Sequence, residues 1–111
     1  MPESKSHRRA KNRAAGRGGR TEVRLRGNKR LDALTKGGGR ATEVERSGTA
    51  AGLNAAAKRL RSSGAKQKVL QVPQPDMGAA AKALRNAKTS GTVKNMTGTR
   101  RLRVRKPNNR R

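Results

Sequence analysis

Residues 31–46 read Leu31-Asp32-Ala33-Leu34-Thr35, then Lys36-Gly37-Gly38-Gly39-Arg40, then Ala41-Thr42-Glu43-Val44-Glu45-Arg46. The outer runs are short strand candidates separated by a glycine loop, and in the second Glu43 and Glu45 flank Val44. Just upstream, Thr21-Glu22-Val23-Arg24-Leu25-Arg26 alternates polar and apolar residues, and Gly27-Asn28 is a turn signal. Together 21–46 predict an antiparallel meander of three strands. The loop's parity decides which side chains meet. If 36–40 is a five-residue loop, Ala33 faces Glu43 and Asp32 faces Val44. A four-residue loop or one bulge instead sets Asp32 opposite Glu43 or Glu45.

Downstream the period changes. Ser47-Gly48-Thr49 supplies capping residues, and Leu53, Ala56, Ala57 and Leu60 follow at i, i+3, i+4 and i+7, one face of a helix. Lys58, Arg59 and Arg61 fall on its other faces, and Gly64 suits its end. Lys66–Val72 reads as a strand stopped by Pro73. Asp76 is expected to cap a second helix, whose apolar face is Met77, Ala80, Ala81 and Leu84. Thr92–Met96 is a last short strand. The order βββ-α-β-α-β predicts a small mixed sheet covered by helices, an α/β fold.

The 111 residues carry 30 Lys and Arg against six Asp and Glu, a formal charge of +24, with no aromatic residue and no cysteine. The missing cysteines exclude disulfides and thiolate zinc sites. Leu and Val, the only residues of the Leu, Ile, Val and Phe group present, number 14, a proportion that with this charge favours disorder. Twelve of them lie between 21 and 98. The expected organisation is therefore a thin, alanine-rich α/β domain over 21–98, a flexible basic arm over 1–20 and a basic tail over 99–111. No apolar run is long enough to span a membrane and no secretory signal follows Met1. A cytoplasmic location, nucleoid- or ribosome-associated, is expected.

Four of the six acids fall between 22 and 45. Glu43 and Glu45 alternate on one strand and so share a face; Asp32 lies on the strand before. Carboxylates converging there make an oxygen-rich site for Mg²⁺ or Mn²⁺, which could activate water against a phosphodiester. The bland alternative is a polar strand face paired with some of the many cations. His7, in the arm, is given no role. Ser47 and Thr49 lack a neighbouring histidine for serine-type catalysis, and Gly37-Gly38-Gly39 lacks the P-loop pattern.

Arg30-Leu31-Asp32, then Glu43-Val44-Glu45, then a helix and a strand, resembles the restriction-endonuclease-like (PD-(D/E)XK) superfamily over about 21–98. That resemblance implies an αβββαβ core and nuclease activity. It makes Asp32, Glu43 and Glu45 the catalytic and metal-binding residues, with Glu22 as the variable acid near the start of the core. Glu45 stands where most members have lysine, as in some restriction enzymes. The family's N-terminal helix has no evident counterpart in the Gly- and Arg-rich arm.

The arginine-weighted ends point to a phosphate backbone, because the guanidinium fork matches phosphate. Arg17, Arg20, Arg24, Arg26, Arg100, Arg101, Arg103 and Arg105 are the candidate contacts. Without aromatics there is no base-stacking platform, so contacts should be to phosphates with little sequence readout. The expected partner is DNA or RNA, not a membrane, since the helices offer mostly alanine. A homodimer would be one way to support so thin a core. Three readings stand: a Mg²⁺-dependent nuclease; a non-catalytic, sequence-nonspecific ribosome-associated or chromatin-like binder needing no cofactor; and a polycation that orders only on its partner.

Overall fold

The structure is a computed structural model that describes residues 4–25, 27 and 29–105. Arg26 and the last six residues of the C-terminal tail lie outside the described residues. Among the described residues the chain is a mixed α/β protein with one six-stranded sheet and three helices: α1 (Lys5–Ala15), β1 (Arg20–Arg24), β2 (Arg30–Leu34), β3 (Arg40–Val44), α2 (Ala50–Ser63), β4 (Gln67–Gln71), α3 (Met77–Asn86), β5 (Gly91–Lys94) and β6 (Arg101–Val104). Strand order in space follows strand order in sequence, β1 to β6. The pairs β1–β2, β2–β3 and β5–β6 are antiparallel, whereas β3–β4 and β4–β5 are parallel. The parallel pairs are those joined by helices, as a parallel connection needs a crossover. No helix among the described residues is long and apolar enough to cross a membrane.

The middle of the chain follows its local signals. Thr49 caps α2 by accepting from the Gly52 N–H at 3.0 Å, and Gly64 ends it at φ 70°, a left-handed conformation that glycine adopts without Cβ strain. Leu53, Ala56, Ala57 and Leu60 are all buried, as are Ala80, Ala81 and Leu84 of α3. They meet Leu70, Val72, Val93 and Val104 in the core. Asp76 precedes α3 but its side chain makes no capping hydrogen bond, contrary to expectation.

Both ends differ from the expected arms. Lys5–Ala15 is a helix, with Ser4 accepting from the His7 N–H at 3.1 Å. Ala10, Lys11 and Ala15 are its buried residues, so a long cation occupies a position that hydrophobic periodicity reserves for an apolar side chain. The Lys11 ammonium ion-pairs with Glu22 of β1, which makes that burial tolerable. At the other end, Arg101–Val104 adds β6 to the sheet. Asn95 builds the turn: its amide donates to Gln74 Oε1 and Thr99 Oγ1, and its Oδ1 accepts from the Arg100 N–H.

The β2–β3 loop resolves the parity question. Ala33 pairs with Thr42 and Leu34 with Ala41, and the Thr35 N–H donates to the Arg40 carbonyl at 3.0 Å. The loop proper is therefore the four residues Lys36–Gly39, with Gly37 at φ 84°. Continuing that register sets Asp32 opposite Glu43. Thr42 lines a cavity with α1, whereas Glu43, the next residue, bonds to Arg59 of α2. Successive strand residues point to opposite faces, so α1 and α2 cover opposite sides of the sheet.

Candidate active site

Beyond the Ala33–Thr42 pair, carboxylates replace the ladder between β2 and β3. The Asp32 N–H donates to Glu43 Oε2 at 2.7 Å, and the Val44 N–H donates to Asp32 Oδ2 at 2.7 Å. Each acid thus satisfies a backbone donor on or beside the other's strand. Glu43 is fully buried, while the Asp32 side chain retains 18% exposure.

A basic side chain approaches each acid, Arg59 and His7 from opposite sides of the sheet. From α2, Arg59 Nε donates to Glu43 Oε1 at 2.6 Å. From α1, His7 Nε2 lies 3.5 Å from Asp32 Oδ2; among the described residues this buried nitrogen has no hydrogen-bond partner. Burial drives the titration of both acids. It pushes the Glu43 carboxyl up to about 8, with the Asp32 charge adding to the shift and Arg59 opposing it. It also raises Asp32, against the Val44 N–H bond and His7. Burial thus leaves the charged forms of both acids incompletely compensated, as at many functional sites.

The other expected members stand apart. Glu22 takes φ 53° and pairs with Lys11. Glu45 lies past the end of β3, where its carboxylate accepts from the Ser47 N–H at 3.1 Å. It also lies over Gly52 in the first turn of α2, so it complements that helix N-terminus instead of joining the pair. Among the described residues, no group of three or more His, Cys, Asp or Glu is arranged to hold a metal ion. The site is a pair, Asp32 and Glu43, flanked by His7 and Arg59.

Those two flanking residues are not evident from the sequence. Ser4 at capping distance before His7 is a usable helix signal, and Arg59 borders the stripe that ends in Leu60. Neither signal names a partner on another element.

The candidate phosphate contacts form two separate groups. Arg20 and Arg24 are exposed on edge strand β1, with Arg17 in the preceding turn. Arg101 and Arg103 are exposed on β6, between exposed Arg100 and Arg105. Five strand spacings of ~4.8 Å separate β1 from β6, so the groups cannot grip one phosphate together. No protein-family model, curated protein or solved structure matches the chain.

Proposed function

We propose that this protein is a small nucleic-acid-binding nuclease of restriction-endonuclease-like type, in which Asp32 and Glu43 hold a Mg²⁺ or Mn²⁺ ion. The observation that carries the reading is the convergence of these two carboxylates, one buried and one half-buried, where β2 and β3 part. Two further features support it. The element order α1-β1-β2-β3-α2-β4 is compatible with the αβββαβ core that the resemblance implies. The surrounding charge, +24 over the chain, favours a polyanionic substrate.

A bound divalent ion would polarise a phosphodiester and acidify a water. The chain's own groups have simpler roles. Asp32 and Glu43 supply hard oxygen ligands, and Arg59 limits the charge that Glu43 adds to the site. His7 Nε2 faces Asp32 from the α1 side, where it can hold or pass a proton.

The test incubates the protein with plasmid DNA and with tRNA, in Mg²⁺ and in EDTA. Cleavage should require the ion, and Asp32→Ala or Glu43→Ala should lower it by roughly 100-fold, at or above the upper end of what outer-shell losses cost metal sites. Cleavage that survives Asp32→Ala, or its absence on both substrates, would sink the nuclease reading.

A second reading rests on the Arg59–Glu43 bond and the two reciprocal carboxylate–backbone bonds. These already give each acid a structural job. On that reading the pair merely splices two diverging strands in a non-catalytic nucleic-acid binder, and binding without cleavage is the expected result.

A further inference from the structure

The half of the sheet opposite α2 and α3 that α1 does not reach is open. α1 packs against β1, β2 and β3, while α2 and α3 lie on the other side. The register carries alternate residues of β3 to β6 onto this open face: Thr42, then Val69 and Gln71, then Thr92 and Lys94, then Arg103 and Arg101. Here lies a groove of about 520 Å³ whose lining includes Arg40, Lys66, Lys94, Arg101, Arg103 and Arg105 and, among the described residues, no acid. Arg40 and Lys94 also line an adjoining cavity of about 320 Å³ that continues beside α1, where Arg9 and Arg13 join them.

The cations sit where isolated folding disfavours them. Lys94 is directly opposite Arg101 across β5 and β6, and like charges so placed are destabilising. Among the described residues, none of the six named groove cations has a carboxylate partner. Partial burial lowers the Lys94 ammonium's affinity for its proton, and Arg101, Arg40 and Arg13 lower it further. Four cations that repel one another over a concave polar surface are complementary to an anion. The groove is wider than one phosphate group: β3 to β6 spans ~14 Å at ~4.8 Å per strand.

We propose that this open face is the docking surface for a nucleic-acid sugar–phosphate backbone, with one phosphate seated between Arg40, Lys94 and Arg101. The inference rests on the nucleic-acid reading above and adds where the polymer lies. Lys94, Gln71 and Val44 stand in one row across three strands. A backbone seated at Lys94 therefore lies two strands from the Asp32–Glu43 site. With no aromatic side chain in the chain, the face reads phosphates and not bases, so binding is indifferent to sequence.

The test measures anisotropy of a labelled DNA duplex and a labelled single-stranded RNA, in EDTA, across a salt series. The triple variant Lys94→Gln, Arg101→Gln, Arg103→Gln should bind at least tenfold more weakly. Its log-affinity against log-salt slope should be shallower by about two to three, near 0.9 for each phosphate no longer neutralised. The control Lys58→Gln, Lys82→Gln, Arg85→Gln removes the same charge from exposed positions on α2 and α3 and should change affinity less than threefold. Equal losses in both variants, or none in the first, would overturn the proposal. So would a polyglutamate that competes as well as DNA. Lysine acetylation of the wild-type protein avoids any folding defect: nucleic acid should protect Lys94 and leave Lys58 and Lys82 reactive. Because EDTA removes the ion, these results are independent of cleavage. Binding on this face with no nuclease activity refutes the catalytic reading alone.

Discussion

Glu43 concentrates the chemistry of this protein in one side chain. A carboxyl that ordinarily titrates at 4.5 is pushed up to about 8, first by burial and then by Asp32. Between those values the folded protein holds a proton that the unfolded chain has released. The folded state is therefore favoured at the acid end, and that advantage is lost as pH rises toward 8. The raised Asp32 acts in the same direction, whereas the lowered Lys94 acts in the opposite one. In EDTA, the melting temperature should fall by ~5 °C or more between pH 5.5 and 8.5, the effect of about 1 kcal/mol in a domain this small. Glu43→Gln should flatten that slope. A wild-type melting temperature that climbs over the same range would contradict this account. None of this is legible in the acid-rich stretch itself. Glu43 can be picked out there, but its burial and its contact with Arg59 depend on a helix residue 16 positions further on.

At the scale of elements, the junction between α1 and β1 decides whether His7 reaches the carboxylates. Gly19 has no room for a side chain: a Cβ there would come within 1.9 Å of the Ala15 carbonyl oxygen and 2.7 Å of the Leu34 carbonyl oxygen. Both atoms are backbone and cannot yield as a side chain can. Gly19→Ala should therefore loosen α1 from the sheet, seen as faster hydrogen exchange over Lys5–Ala15 and a melting temperature lower by ~5–10 °C, the scale of a one- to two-kcal/mol defect. Unchanged exchange in α1 would mean the helix does not depend on this packing. The helix is hidden in the sequence because its inward stripe includes His7 and Lys11 beside alanines. Apolar periodicity finds helices that bury hydrocarbon; it misses one that buries a charge against Glu22. β6 is hidden for a related reason. Arg101-Leu102-Arg103-Val104 does alternate, but its exposed arginines give it the look of a tail until Asn95 folds it back beside β5.

For the whole molecule, the core is small, and each large side chain in it matters. Leu70 has no exposure and lies on a central strand between Glu43 and Val93. Leu70→Ala should cost about 2–5 kcal/mol. A domain of this size has roughly 5 kcal/mol in all, so the variant should be largely unfolded by circular dichroism at 37 °C. A cooperative melt with a loss of only a few degrees would show a deeper stability reserve than this core suggests. The same thinness explains why composition alone points toward disorder. Fourteen Leu and Val suffice here because the helices present alanine, which lets them pack closely on the sheet with little side-chain volume.

Local patterning was enough for the middle of the plan, from β1 to β5. Alternation marks β1, Gly and Pro punctuation and β-branched residues mark β2 to β5, and the 3.6 period marks α2 and α3. Those signals are carried by neighbours in the chain. The remainder came from long-range packing. One residue of loop parity set Asp32 across from Glu43, where each carboxylate reaches a backbone N–H of the other's strand, and a polar helix from the N-terminus brought His7 to Asp32. The pairing of β6 with β5 moved the C-terminal arginines onto the open face beside Lys94. In each case the deciding contact joins residues on different elements, and its energy exists only once the sheet has formed.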